Sequence, residues 1–440
     1  MTSFLEDTNT LSPEEAYLWQ CARDWRRPLP PPDPQALDWS RVVATGVHNR
    51  MPTLLQQVLQ ETGSLPGLPA ALRSTLEAEA DRLAESAEIH GAALKAYLNR
   101  AAGRGLETVV HKGLSTSLNL YGDTAMRPGG DIDILVRKED VAESLEILEQ
   151  LGIGRNWPNL LDDRYYTRHH LHQQRSTPDL KIWFEVHWAL DHPYTLLTID
   201  YPAMLDRAVP GSLLGEPVLE LTPVDLLMSL AVHLVKHAVY LPSVVRRADL
   251  ARIILADGML MYYLDVAEVL KQHAGELDWV SVVKLAQESG GTAILGSVLR
   301  ACRDLLASPV PDWVLQAMST REAGWVTRHL MGRMVEQEVS RYLGGRPNRL
   351  WELLVTTNGA FILRPIRALD LAAYFFPSAD YLHRRYRRAD ALIRLAHLLQ
   401  AVGEYARLSF DSLYFGWERY RRLKALNQSA SLFNRLEVDA

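Results

Sequence analysis

Two aspartates one residue apart, Asp131 and Asp133, stand in the run Asp131-Ile132-Asp133-Ile134-Leu135-Val136. Acid alternating with aliphatic residue is the pattern of a half-buried strand, so both carboxylates project from one face while Ile132 and Ile134 point into the core. Like charges held side by side repel, and without a cation one carboxyl is driven towards its neutral form. A divalent metal removes that conflict, and hard oxygen donors at this density favour Mg²⁺ or Mn²⁺ over Zn²⁺. For an isolated Asp-x-Asp the plainer reading is a strand end with both acids in water, but the surroundings argue for the metal. Lys112-Gly113-Leu114-Ser115 marks a strand-to-helix turn upstream, where glycine lets backbone N–H groups and the positive end of a helix face a phosphate. A third acid lies in Trp183-Phe184-Glu185-Val186-His187, another alternating run in which Glu185 and His187 share a face. Three carboxylates for two metals, with a backbone cradle for a polyphosphate, are what phosphoryl or nucleotidyl transfer needs.

Other residues are weaker candidates. Arg127, four positions before Asp131, reads either as a ligand for a β- or γ-phosphate or as a surface loop arginine. His169, His170 and His172 fall on one expected strand, with His170 and His172 on one face, and suit metal, substrate or a hydrogen-bonded surface role. His233 and His237 have the spacing of a zinc helix, but the metalloprotease pattern needs Glu where this chain has Leu234. That helix is expected to pack under the site and to aim Lys236 or His237 at a phosphate. Asp249 reads as a salt-bridge residue.

The elements that must position these groups follow from the surrounding pattern. Residues 12–26 have helical spacing with a Ser12/Glu15 capping box, and the Pro-rich run from Arg27 to Pro34 then forces an extended strap. Helical spacing resumes over 38–60 and 69–100. The pattern then changes: Glu107–His111 is a short β-type run, Ser115–Leu120 a short helix, 131–136 a strand and Val141–Leu151 a helix stopped at Gly152. Tyr165–Gln173 and Leu180–Trp188 read as two strands around a Pro178-Asp179 turn. After Pro223 helical spacing persists almost to the end. The division expected is an N-terminal helical region (1–100), an α/β core (101–215) and a large helical domain (216–440).

The central segments resemble the DNA polymerase β-type nucleotidyltransferase superfamily, and within it a bacterial family of uncharacterised nucleotidyltransferases. The likeness is carried by Lys112-Gly113, Arg127-Pro128, Gly130 to Val136, Leu151-Gly152 and Phe184-Glu185-Val186-His187-Trp188, with looser similarity across most of the chain. It implies an α+β fold in which a small mixed sheet with helices is embedded between the helical regions. It also implies that Asp131, Asp133 and Glu185 hold the metals of a two-metal mechanism, with Glu185 helping to activate an acceptor hydroxyl. Lys112, Gly113, Ser115 and Arg127 would contact the phosphates of an NTP such as ATP. His170, His172, His187, Lys236 and His237 are then candidates for substrate contact. One departure concerns the turn, where the superfamily commonly has Gly-Ser or Gly-Gly and this chain has Gly113-Leu114, with Ser115 one place later. Relatives in peptide natural-product or surface-polysaccharide settings suggest a peptide or saccharide acceptor, with RNA as the third choice through a toxin-like reaction on tRNA. The contrasting reading is a non-catalytic module that binds a peptide, RNA or an anionic membrane through basic helices.

Composition narrows the classes without choosing among them. With 440 residues, 48% hydrophobic and 23% charged, the chain is neither disordered nor a disulfide scaffold. Cys21 and Cys302 are isolated from each other and from any Cys/His cluster, which fits a reducing cytoplasm. Met1 to Glu15 shows no signal-peptide pattern, and no uncharged apolar run approaches the roughly 18 residues that would span a bilayer. The net charge of −6 conceals a basic stretch, since residues 346–424 carry 14 Lys/Arg against 7 Asp/Glu. Its densest run, His383-Arg384-Arg385-Tyr386-Arg387-Arg388, suits either a solvated helix face or a peripheral anionic partner.

Overall fold

The computed structural model describes residues 11–319, leaving aside 28, 31–35, 128, 157–169 other than 163 and 167, 192–196 and 238–246, and then residues 375–406 other than 378, 404 and 405. Helix α1 (Pro13–Asp24) opens with the expected capping box: Ser12 Oγ accepts from the Glu15 N–H, and the Ser12 N–H donates to Glu15 Oε2 at 2.8 Å. Helix α2 (Trp39–His48) is capped by Asp38, whose Oδ1 accepts from the N–H groups of Ser40 and Arg41. Helices α3 (Pro52–Glu61) and the 34-residue α4 (Ala70–Gly103) follow.

The chain then builds one sheet from β1 (Val109–Val110), β2 (Ile132–Leu135), β3 (His172–Ser176), β4 (Trp183–His187), β5 (Val209–Leu213) and β6 (Glu216–Glu220), with α5 (Val141–Gln150) and α6 (Tyr201–Arg207) between them. The strand order is β3-β4-β2-β1-β6-β5. β2 runs parallel to β4 and antiparallel to β1, β1 is parallel to β6, and the outer pairs β3/β4 and β5/β6 are antiparallel, so the sheet is mixed. Alternation sorts the residues as the sequence predicts. Ile132, Ile134, Phe184 and Val186 pack beneath the sheet with Leu94, Tyr97 and Leu98 of α4 and Ile147 and Leu148 of α5.

The opposite face meets a second core. Val109 and Leu135 join helices α7 (Pro223–His237), α8 (Arg247–Ala256), α9 (Leu260–Gln272), α10 (Trp279–Ser289), α11 (Thr292–Leu306) and α12 (Asp312–Ala317). The same core contains Leu18 and Trp19 of α1 and Leu54 and Leu55 of α3, so the first helices and the later ones share one apolar interior. Cys21 and Cys302 are both buried in it as free thiols. The functional face of the sheet is therefore roofed by α7. Helix α13 (Ala379–Tyr386) belongs to a small separate cluster with Tyr381, Leu382 and Ala401 buried. Among the described residues no helix is long and apolar enough to cross a membrane.

Several boundaries differ from those expected. β3 is His172–Ser176, so His170 precedes the strand and is not part of it, while residues 165, 166, 168 and 169 of the expected strand lie outside the described residues. The segment after Gly113 is a single α-turn, Leu114–Thr116, continued as a π-turn through Ser117–Tyr121. The β5/β6 hairpin carries the sheet to Glu220, past the expected limit of 215. Its turn places Leu214 at φ 56° and Gly215 at φ 82°. A leucine at positive φ in place of the usual Asn or Asp, with Pro210, Gly211 and Pro217 inside the strands, hides this hairpin from a reading by composition.

Candidate active site

Register brings the acids together. Asp133 on β2 stands opposite Glu185 on the parallel strand β4, and Leu135 opposite His187. Residues in register on neighbouring strands lie on one face about 5 Å apart, so Asp133, Glu185 and His187 form one patch. On the far side of β4, His172 pairs with His187 and Gln174 with Glu185. Asp131 immediately precedes β2 at the open rim, with 35% of its side chain exposed. The Asp133 side chain is fully buried.

A lysine balances this charge. Lys112 Nζ donates to Asp133 Oδ1 at 2.8 Å, lies 4.0 Å from Asp131 Oδ2, and on its other side donates to His233 Nε2 at 3.3 Å. His187 Nε2 is 2.9 Å from Asp133 Oδ1 and 3.2 Å from Glu185 Oε2. Glu185 Oε1 accepts from Gln174 Nε2 at 2.9 Å. The second oxygen of Asp133, Oδ2, is buried without a hydrogen-bond partner. A fully buried anionic oxygen left unpaired is costly in a folded protein and marks a place for a cation.

The proton equilibria follow. Burial works to raise the Asp133 carboxyl, but the Lys112 charge and the His187 hydrogen bond outweigh it and hold Asp133 well below the usual carboxylate range. Burial likewise opposes the ionised form of Glu185, which the His187 hydrogen bond and the Lys112 charge keep low. Lys112 loses hydration, yet Asp133, Asp131 and Glu185 together keep its ammonium firmly protonated. His187 is raised against its burial by its hydrogen bonds to the two acids. Asp131 goes the other way, pushed up to about 7 by burial and by the charge of Asp133. Two carboxylates stay ionised, and the third, at the rim, is the one short of positive charge.

The turn before the patch is shaped by Gly113, at φ 62°, where a Cβ would come 3.4 Å from the Asp131 carbonyl oxygen. Glycine here lets the chain enter the following helical turn while passing close to the Asp131 backbone. Ser115 is in that turn, half-buried, and its Oγ accepts from Asn119 Nδ2 at 3.4 Å.

The remaining candidates are distributed as follows. Arg127 turns away from the carboxylates: its Nε donates to Asp265 Oδ2 at 2.6 Å, both groups are buried, and Tyr121 Oη donates to the other Asp265 oxygen. His172 is at the patch, its Nδ1 3.4 Å from Glu185 Oε2, and the His170 ring follows 4.4 Å from that of His172. Lys236 Nζ donates to the Leu190 carbonyl oxygen at 3.3 Å, just beyond β4, and burial lowers its pKa. His237 stacks on Tyr262 with the rings 5.6 Å apart. The His233 and His237 rings are 4.7 Å apart, and His233 is turned to Lys112, so this helix packs against the patch. His169, the side chain of Asp249 and the run Glu418–Arg422 lie outside the described residues. In the 383–388 run His383, Arg387 and Arg388 are exposed, Arg388 is paired with Asp390 at 2.7 Å, and Tyr386 Oη contacts His397 Nδ1 at 2.7 Å.

His111 is a site residue that the motif reading passed over. It is buried, its Nδ1 meets Ser229 Oγ at 3.0 Å, and its ring lies 5.5 Å from that of His187. The signal was present in the alternation, since Val109 and His111 must share the face that Lys112 follows. His233, Ser229 and Gln174 come from elements distant in sequence, and no local pattern pairs them with the acids.

Among the described residues, three sets of side chains converge with their donor atoms within 4.8 Å of one another: Asp131, Asp133 and Glu185; His172, Glu185 and His187; and His111, Asp133 and His187. The all-carboxylate set fits a hard divalent cation, on the evidence of the unpaired Asp133 oxygen and the elevated Asp131. A family model described as an uncharacterised nucleotidyltransferase matches residues 35–307, more than half of the chain, and the chain belongs to that family. No curated protein and no solved structure matches it.

Proposed function

We propose that this protein transfers a nucleoside monophosphate, or a related phosphate-linked group, from an NTP to a hydroxyl or phosphate acceptor with Mg²⁺ or Mn²⁺ held by Asp131, Asp133 and Glu185. The observation that carries this reading is Asp133 Oδ2, a buried carboxylate oxygen without a partner, beside Glu185 in register and Asp131 at the rim. When bound, the metal neutralises polyphosphate charge and polarises the phosphorus centre. The chain's own residues do the rest. Lys112 adds a fixed positive charge at the inner side of the patch, and Gly113 lets the backbone approach the phosphates closely. His187 and Gln174 fix the Glu185 carboxylate, whose low pKa suits a ligand better than a proton acceptor. Helix α7 lies over the inner side of the patch, with Ser229 against His111 and His233 against Lys112, and Lys236 and His237 near its end are the candidates for acceptor contact.

The acceptor is a peptide, a saccharide or an RNA in this reading, chosen by the helices around the sheet. The non-catalytic alternative has one observation in its favour: Lys112 already satisfies part of the Asp133 charge without a metal. Labelled NTPs with and without divalent metal separate the two. Metal-dependent release of pyrophosphate or transfer of label, lost in Asp133→Asn, supports the enzyme. Absence of both in the wild-type protein, with every candidate acceptor, supports the platform.

A further inference from the structure

The carboxylates do not stand alone. His172, only 7% exposed, has neither ring nitrogen in a hydrogen bond, although its Nδ1 is 3.4 Å from Glu185 Oε2. A buried imidazole without a partner on either nitrogen is as anomalous as the orphaned Asp133 oxygen two strands away. His187 approaches the same Glu185 oxygen from its own strand at 3.2 Å. Its Nδ1 meets the Ala189 carbonyl oxygen at 3.3 Å, which turns Nε2 towards the acids. An outer nitrogen tied to a backbone carbonyl while the inner one faces anionic oxygens is how metal-bound histidines are oriented. Bond lengths near 2.1 Å place adjacent ligand atoms of one metal about 3.0–3.4 Å apart. The Glu185–His187 and Glu185–His172 separations match that edge length.

We propose that His172, Glu185 and His187 form a mixed nitrogen–oxygen metal position beside the all-carboxylate one, with Glu185 shared between them, so that one cation of this site is a transition ion of the Mn²⁺–Zn²⁺ series. Imidazole donors select such ions, whereas Mg²⁺ prefers oxygen alone. His111 is not required, because its Nδ1 is committed to Ser229. The inference rests on the metal-binding reading of Asp131, Asp133 and Glu185 and adds to it the identity of the second donor set.

The test is electron spin-echo envelope modulation of the full chain titrated with Mn²⁺ alone, which detects ¹⁴N nuclei bonded to the ion without recourse to activity. The expected result is a nitrogen modulation in the wild-type protein. In His172→Gln that signal is reduced, with at least about tenfold weaker binding at the nitrogen-containing position. Mn²⁺ that binds and is weakened by Asp131→Asn, yet shows no nitrogen coupling, overturns the mixed site and leaves the carboxylate reading standing. Absence of bound Mn²⁺ at millimolar concentration overturns both. Because the wild-type spectrum decides the question by itself, a variant that fails to fold does not obscure it.

Discussion

Replacing Lys112 by methionine keeps most of the stem and removes the ammonium that donates to Asp133. Asp133 is fully buried and Lys112 keeps only 10% of its side chain exposed, so the pair lies in a dry setting. Removing one partner of such a pair costs roughly 3–5 kcal/mol, because the other charge is left unpaired in the interior. In EDTA, Lys112→Met is therefore expected to melt about 3–5 °C below the wild-type protein, at roughly 1 °C per kcal/mol for a chain of 440 residues. Divalent metal should then recover most of that loss, because a cation at the unpaired Oδ2 of the same carboxylate supplies the positive charge the variant lacks. Ligand at about 100 times its dissociation constant contributes about 2.7 kcal/mol. Differential scanning fluorimetry across a Mg²⁺ and Mn²⁺ series reads both arms, and the variant should gain more from metal than the wild type does. An unchanged melting point in EDTA refutes the buried pair. A large loss that metal does not restore refutes the claim that a cation binds the Asp133 carboxylate.

Asp131 provides a pH signature. Its carboxyl is held near 7 in the folded metal-free protein, above the value of about 4 in an unfolded chain, so stability from this group falls as pH rises from 4 to 7. A dry site with that shift would be worth roughly 4 kcal/mol, and with a third of the side chain open to water about 1–2 kcal/mol survives screening. Asp131→Asn should thus melt about 1–2 °C higher than wild type in EDTA at pH 8 and equal to it below pH 4, while losing metal-dependent stabilisation; equal melting at pH 8 contradicts this. Arg127→Met should cost roughly 3–5 kcal/mol by stranding Asp265, and Arg127→Met/Asp265→Asn should recover part of it, as chemical denaturation would show. Were Arg127 instead a phosphate ligand, its loss would raise the NTP dissociation constant and leave stability unchanged. Cys21, pushed up to about 12 by burial, and Cys302, raised by the same cause, should resist a thiol reagent in the native protein and react only on unfolding.

The acids were legible because strand alternation is a local property: Asp131-Ile132-Asp133-Ile134 states which side chains share a face, and β2 places them so. Pairing Asp133 with Glu185 needed the β2/β4 register, which spans some fifty residues and is decided by the packing of Ile132, Ile134, Phe184 and Val186 over α4. Arg127 illustrates the opposite limit. Its position before the acids suggested a phosphate, yet its partner is Asp265 on α9, 138 residues further on. The helix over the site was expected but its pairings were hidden, because Ser229 and His233 reach His111 and Lys112 only once α7 lies across the sheet. The β5/β6 hairpin was missed for a local reason, since its turn uses Leu214 where composition would call for Asn or Asp. The capping box of α1, by contrast, depends on four consecutive residues and was fully readable.

Calorimetric titration of ATP, CTP, GTP and UTP into the protein in the presence of Mg²⁺ or Mn²⁺, and again in EDTA, tests the central claim most directly. The account predicts that at least one nucleotide binds with metal, that EDTA removes the binding, and that Asp133→Asn abolishes it. Binding that persists in EDTA or in Asp133→Asn, or no binding of any of the four, contradicts it.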